Sequence, residues 1–335
     1  MLSKYQIEIE EYDNNEINFK KNLPRAIIEA YNLEHFEFKG QPYKIDSIDE
    51  LWKFHDCMGV PYYKRWLSKI KTDVLSEDYE ILKKTANQIY EFGKKIGIPN
   101  AAKHDLSQSF LHLTHLRERV ENFQNLKVLE IGPGPGYLAA LLINLGIKYS
   151  CVEASQGMYI YQRIFWKETF DDKYNDIFKN KVNGKINHIP WFKFVEENFD
   201  LPEFDIVIMN NVIAEMHQNA IKFTLQKIKD NFFKFSKEIN IICHGFGASD
   251  TKNLDRLVNN INKIEWEIVE LTEDFNIMFA LHKSKKFREL NKNNFKISYI
   301  IFFKELMKSL FQFKISTLKK LIKVLKVKFG FSKNI

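Results

Sequence analysis

The chain has 335 residues, 45% hydrophobic and 28% charged, with only 13 glycines and eight prolines; this excludes a fibre, a disordered tail or a low-complexity protein and leaves ample material for a core. Its net charge of +7 is unevenly placed: residues 285–335 hold 14 Lys/Arg against two acids, while the rest carries 36 bases and 41 acids. A mildly acidic body with a basic end argues against a DNA enzyme whose cleft is basic throughout.

The N-terminus carries no apolar signal-like segment, and no run of about 18 apolar residues is present to span a bilayer. Cys57, Cys151 and Cys243 lie far apart with no C-x-x-C pair, so a reducing cytoplasm is the expected setting. No repeat of 20 to 50 residues is visible.

Residues 1–124 read as a helical cap or substrate region. One helix is expected to start at a Ser76-Glu77-Asp78 cap, carry Ile81, Leu82, Thr85, Ile89, Phe92 and Ile96 on one side, and stop at Gly97 and Pro99. A second places Leu106, Phe110, Leu113, Leu116, Val120 and Phe123 on one face. His112 and His115 share a face of that helix without a third ligand nearby in sequence, so they are expected to line or support the cap rather than bind metal.

From residue 125 to 284 short apolar runs alternate with helical stretches, the pattern of βαβ units in an α/β protein with a mainly parallel sheet. Strands are expected at 127–131, 149–152, 185–189, 205–209 and 239–243, with helices at 137–145, 158–170 and 220–235 between them. Two further strands, 265–271 and 276–283, are separated by four residues. That gap is too short for a parallel crossover, so they should pair antiparallel.

The first of these strands ends in Glu130-Ile131-Gly132-Pro133-Gly134-Pro135-Gly136-Tyr137. Glycines permit a tight turn and close approach of a ligand to the backbone, and the following helix start presents free N–H groups. Glu153 ends the next strand, where an acid can accept both hydroxyls of a ribose. A dinucleotide and S-adenosylmethionine both suit this much. The G-x-G-x-G spacing, the acid just before the first glycine and the terminal strand pair favour S-adenosylmethionine, whose ammonium Glu130 would attract where a pyrophosphate would be repelled.

In these residues the chain resembles the class I SAM-dependent methyltransferases, over roughly residues 125–284. The resemblance implies a Rossmann-like seven-stranded sheet with an antiparallel last strand, S-adenosylmethionine as cofactor, and contacts to its methionine part from Gly132, Gly134 and Gly136. It assigns the amino group to Glu130, the ribose to Glu153 with Ala154 beside it, and the adenine to the stretches His188-Ile189-Pro190-Trp191 and Asn210-Asn211.

After the fourth strand the chain reads Met209-Asn210-Asn211-Val212-Ile213-Ala214-Glu215-Met216-His217. This has neither the proline pair of DNA amino-methylases nor an acid cluster for magnesium, and no cysteine follows a proline as cytosine methylation needs. A metal-free reaction on a small molecule or glycan remains, with no nucleic acid expected. Glu215 and His217 are the first candidates for base and acceptor-orienting group, since imidazole changes charge near neutral pH. His244, after the fifth strand, is a second candidate base. The alternative is that Glu215 caps the next helix and His217 lies on its exposed face.

The E-I-G-P-G-P-G-Y, H-I-P-W and A-E-M segments behind a helical N-terminal region further resemble sugar O-methyltransferases encoded among bacterial surface-polysaccharide genes. That implies a nucleotide-linked or lipid-linked sugar acceptor. Tyr62, Tyr63, Arg65, Trp66 and His104 are then sugar-contact candidates. Another small acceptor, or a SAM-binding scaffold without turnover, are the alternatives. Residues 285–335 read as a basic amphipathic tail with Phe311, Ile315, Leu318, Ile322, Leu325 and Phe329 on one stripe and lysines off it, suited to an anionic membrane surface at the inner face; the alternative is that the stripe packs on the body or on another subunit with the lysines solvated.

Overall fold

The computed structural model describes residues 3–31, 42–56, 64, 67, 68, 70, 74–120, 123–177, 184–213, 215–232, 238–243, 267–271 and 277–282. His244, Tyr62, Tyr63, Arg65, Trp66 and the tail at 285–335 lie outside these residues.

Among the described residues eight strands form one sheet, in the order β3-β4-β2-β1-β5-β6-β8-β7. The central four, β1 (Lys127–Ile131), β2 (Lys148–Glu153), β4 (Ile186–Pro190) and β5 (Ile206–Ile208), are buried along almost their whole length. Parallel strands covered on both faces have this continuous apolar character rather than an alternating one. All four run parallel, as does β6 (Glu238–Cys243) beside β5. At the far side β8 (Ile277–His282) runs antiparallel between β6 and β7 (Glu267–Leu271).

In place of the expected seven strands, the described residues hold eight. The additional strand, β3 (Tyr174–Asp176), is three residues long and joins the edge beside β4. Its Tyr-Asn-Asp sequence has no apolar pattern, and Asp176 is held by Arg163, 3.1 Å away.

Helices α5 (Tyr137–Asn144), α6 (Gln156–Phe170), α7 (Trp191–Phe194) and α8 (Gln218–Phe232) follow β1, β2, β4 and β5. Among the described residues four N-terminal α-helices pack on them and share one apolar core with the sheet: α1 (Gln6–Lys20) on α6 and α7, α2 (Arg25–Tyr31) on α8, and α3 (Ser76–Lys95) and α4 (Lys103–Arg119) on α5.

The face that α1 buries is partly acidic. Glu8 pairs with Arg163 and with Lys167 at 3.0 Å, while Glu16 pairs with Lys44 at 2.9 Å and accepts from the Trp191 indole at 2.8 Å. These partners make burial of the carboxylates tolerable.

Helix α3 begins at Ser76, so Ser76 is not its cap; Leu75 holds that position and supplies no side-chain hydrogen bond. At the other end Gly97 adopts φ +83°, letting the Ile98 N–H reach the Gly93 carbonyl at 2.8 Å. Among the described residues no helix is long and apolar enough to cross a membrane.

Candidate active site

Because the strands are parallel, their carboxyl ends open on one edge of the sheet, and β1, flanked by β2 and β5, is where the strand order reverses. Such a switch point leaves a crevice for ligands. Here it is a cavity of about 560 Å³, walled by the glycine loop, the ends of β2 and β5, the start of α8, and residues of α2 and α4.

The three glycines differ in why they are glycine, although all have positive φ: +68°, +59° and +78° at Gly132, Gly134 and Gly136. A Cβ on Gly132 would lie 2.7 Å from a Val212 methyl carbon, and one on Gly136 would lie 2.5 Å from the Trp166 ring. A Cβ on Gly134 would meet nothing within 4 Å. Gly134 is therefore the residue that presents bare backbone to the cavity. Gly136, expected to contact the cofactor, does not line the cavity; it packs on Trp166, where a side chain would not fit.

Two carboxylates flank the loop from adjacent strands. Glu130, 3% exposed, accepts the Tyr149 hydroxyl at 2.6 Å; burial pushes its carboxyl up to about 8, against hydrogen bonds from Tyr149 and Asn210 that pull it down. Glu153 accepts the N–H groups of Ala154 and Ser155, each at 2.8 Å, on one oxygen and the Gln162 amide at 2.9 Å on the other. Burial nonetheless raises it to about 7. Gln162 also donates to the Gly134 carbonyl, so one buried amide locks loop and acid together. Sequence pattern offers no sign of this, because an amide on the buried face of a helix looks like any other polar residue.

Across the cavity Asn210 and Asn211 line the wall, Asn211 in the left-handed region at φ +57°, which asparagine tolerates. Glu215 and His217 also line it. Burial, with the nearby Glu153 charge, raises the Glu215 carboxyl to about 7, and its side chain has no hydrogen-bond partner among the described residues. His217 is engaged: its Nδ1 accepts the Asn219 N–H at 3.2 Å and its carbonyl accepts from Ile221 at 3.0 Å. The cap of α8 is thus His217, not Glu215.

The expected adenine contacts at His188, Pro190 and Trp191 are corrected by the structure: none of the three lines the cavity. His188 is fully buried and stacks on Tyr159 at a centroid distance of 3.8 Å. Trp191, also fully buried, stacks on Tyr31 at 5.6 Å, and it is Tyr31 that reaches the cavity. Pro190 ends β4 beside Glu153 and starts α7.

His104 is likewise away from the cavity, fully buried with Nδ1 3.0 Å from an Asp105 carboxylate oxygen. Asp56, His104 and Asp105 bring potential metal-ligating atoms within 4.8 Å of one another. Asp56 accepts the Asp105 N–H at 3.4 Å in the first turn of α4, where Ala102 offers no side-chain cap. Burial, reinforced by Asp105, raises the Asp56 carboxyl to about 6. The cluster thus serves to start a helix.

Asp105, Gln108 and Ser109 of α4, not singled out by the sequence, complete the cavity together with His112, which the sequence placed in the cap. Their spacing of 3, 1 and 3 is a helical face, legible beside the apolar one.

No family model matches the chain, and no curated protein matches it. Among solved structures, the pyocyanin biosynthetic protein PhzM aligns over 57% of this chain and 60% of its own, at 12% identity and a TM-score of 0.36. The glycopeptide N-methyltransferase MtfA, in complex with S-adenosylmethionine, aligns over 51% and 87% at 11% identity and TM-score 0.38. The [4+2]-cyclase SpnF aligns over 49% and 59% at 13% identity and TM-score 0.34. The chain therefore spans about 60% of PhzM and SpnF. A fold does not by itself imply a function, which is read from the site.

Proposed function

We propose that the protein is a SAM-dependent O-methyltransferase acting on a sugar hydroxyl of a surface glycan or its precursor. One observation carries the cofactor: two buried carboxylates, Glu130 and Glu153, stand at the ends of neighbouring parallel strands on either side of the open backbone at Gly134. A ligand with an ammonium group near the loop and a ribose diol satisfies both; S-adenosylmethionine has this arrangement, whereas a dinucleotide has the diol but brings a pyrophosphate to the loop beside Glu130. When bound, that molecule supplies a methyl group made electrophilic by its sulfonium.

The residues then divide the work. Glu130 pairs with the ammonium, Glu153 accepts the ribose hydroxyls, and Gly134 admits the ligand to the backbone. Glu215, raised to about 7 and without a protein partner among the described residues, would take the acceptor hydroxyl proton while the methyl group passes to the oxygen and its bond to sulfur breaks, leaving the neutral thioether. Positioning supplies much of the remaining acceleration. His217 holds the start of α8, and so the wall on which Glu215 stands.

Incubation with methyl-labelled S-adenosylmethionine and a panel of nucleotide sugars and methyl glycosides tests the reading. Label transfer to a sugar oxygen is expected, and transfer to nitrogen or to no sugar would overturn the acceptor class. On the same reading the basic tail docks on anionic lipid. Sedimentation with vesicles containing phosphatidylglycerol, but not with neutral vesicles, is the matching result, and equal behaviour with both would contradict it.

A further inference from the structure

We propose that the polar face of α4 formed by Asp105, Gln108, Ser109 and His112 is the acceptor-binding wall, and that the group it takes is an uncharged, polyhydroxylated ring. This rests on the methyltransferase reading and adds to it the place and chemistry of the second substrate.

The helix is buried on both sides. Leu106, Phe110, Leu113 and Leu116 enter the apolar core, while the four polar residues, at positions i, i+3, i+4 and i+7, face the cavity. Gln108 is only 9% exposed, yet neither its amide nor the Ser109 hydroxyl has a hydrogen-bond partner among the described residues. The Gln108 amide thus opens on the cavity without a protein partner among these residues, and a ligand or water there completes its hydrogen bonds.

His112 is oriented by the Asn210 amide, which donates to its Nδ1 at 2.8 Å. With Nδ1 accepting, the neutral ring carries its proton on Nε2 and acts as a donor there. Burial, with His115 nearby, drives the imidazole down to about 3, so it stays neutral.

An amide, a hydroxyl, an imidazole N–H and a carboxylate together offer donors and acceptors in alternation, which is how hydroxyl groups are matched. Phe54 and Tyr31 add apolar surface for the C–H face of a ring. Charge sets the rest. The cavity wall carries the carboxyl groups of Asp105, Glu130, Glu153 and Glu215 and, among the described residues, no Lys or Arg, so a phosphate or uronate placed here would find no cation to pair with. In a sugar phosphate or glycolipid the anionic part is therefore outside this wall.

The test uses the full-length protein loaded with S-adenosylhomocysteine. Saturation-transfer NMR is recorded with methyl glycosides of the common hexoses and 6-deoxyhexoses, the matching uronates and the matching sugar 1-phosphates. A neutral methyl glycoside is expected to bind better than its anionic counterparts. Gln108→Leu is expected to weaken that binding about tenfold or more and Ser109→Ala by a smaller factor, each with S-adenosylmethionine affinity within about twofold of wild type. That retained affinity also shows that the variants fold. Absence of any neutral glycoside signal while the cofactor binds, preference for the anionic sugars, or binding unaffected by both variants would overturn the wall alone. Failure of the wild type to bind the cofactor would instead overturn the parent reading, and the wall with it.

Discussion

The Asn210 side chain at the end of β5 donates to Nδ1 of His112 on α4 at 2.8 Å, joining the helical N-terminal region to the cofactor edge of the sheet. Asn210 also hydrogen-bonds Glu130, so a single amide stands between the predicted ammonium ligand and the predicted acceptor wall. Replacing Asn210 by Leu is expected to lower affinity for S-adenosylmethionine and for acceptor together, each about fivefold to tenfold. Separate titrations of the two ligands check this, and an effect confined to one of them would contradict it.

The raised carboxyl of Glu130 makes stability depend on pH in a definite sense. Its ordinary value is 4.5 and burial moves it to about 8 in the folded protein. Its stabilising contribution is then fully present below about 4.5 and is lost as pH rises toward 8. Without cofactor, the thermal midpoint should fall over this window, and Glu130→Gln should flatten the fall while abolishing tight cofactor binding. Scanning calorimetry of both proteins from pH 5 to pH 8 reads the difference.

Glycines in one loop should fail in different ways. Gly136→Ala drives a methyl into Trp166 and is expected to destabilise the fold by about 1–3 kcal/mol, the usual cost of overpacking. Gly134→Ala meets no atom within 4 Å, so its stability cost is about 1 kcal/mol of backbone strain. Its larger effect should be on cofactor affinity, where the new methyl occupies the approach to the backbone. Chemical denaturation and ligand titration of both variants separate the two outcomes.

Much of the fold was legible because it rests on local pattern. The strand, glycine loop and helix at 127–145 announce themselves by continuous apolar residues, turn glycines and helical spacing. Helix α1 was not legible, because its buried face carries Glu8 and Glu16, whose partners Arg163, Lys44 and Trp191 lie far away in sequence. His188 and Trp191 sit where a resemblance places adenine contacts, yet Tyr159 and Tyr31 cover them. Only packing across distant segments decides which aromatic residue of such a stretch faces the ligand. The α4 wall was half legible: its apolar stripe was read, but the meaning of the polar stripe depends on the cavity it faces.

Glu215 and His217 are predicted to have separable roles. Glu215→Gln should reduce kcat by about a hundredfold or more with little change in cofactor binding. In the wild type, kcat should rise with pH through about 7 as the carboxyl ionises to accept a proton. His217→Ala should instead cost about 1 kcal/mol of stability through loss of the α8 cap, and His217→Asn should restore most of it. Turnover should survive chelation by EDTA; its loss would point to the Asp56, His104 and Asp105 cluster.

The most direct test is calorimetric titration of the wild type and a Glu153→Ala variant with S-adenosylmethionine and, separately, with NADH. Saturable binding of S-adenosylmethionine by the wild type, weakened at least about tenfold in the variant and not matched by NADH, is the predicted result. A folded wild type that binds no S-adenosylmethionine, or that binds NADH through Glu153 instead, would contradict the account.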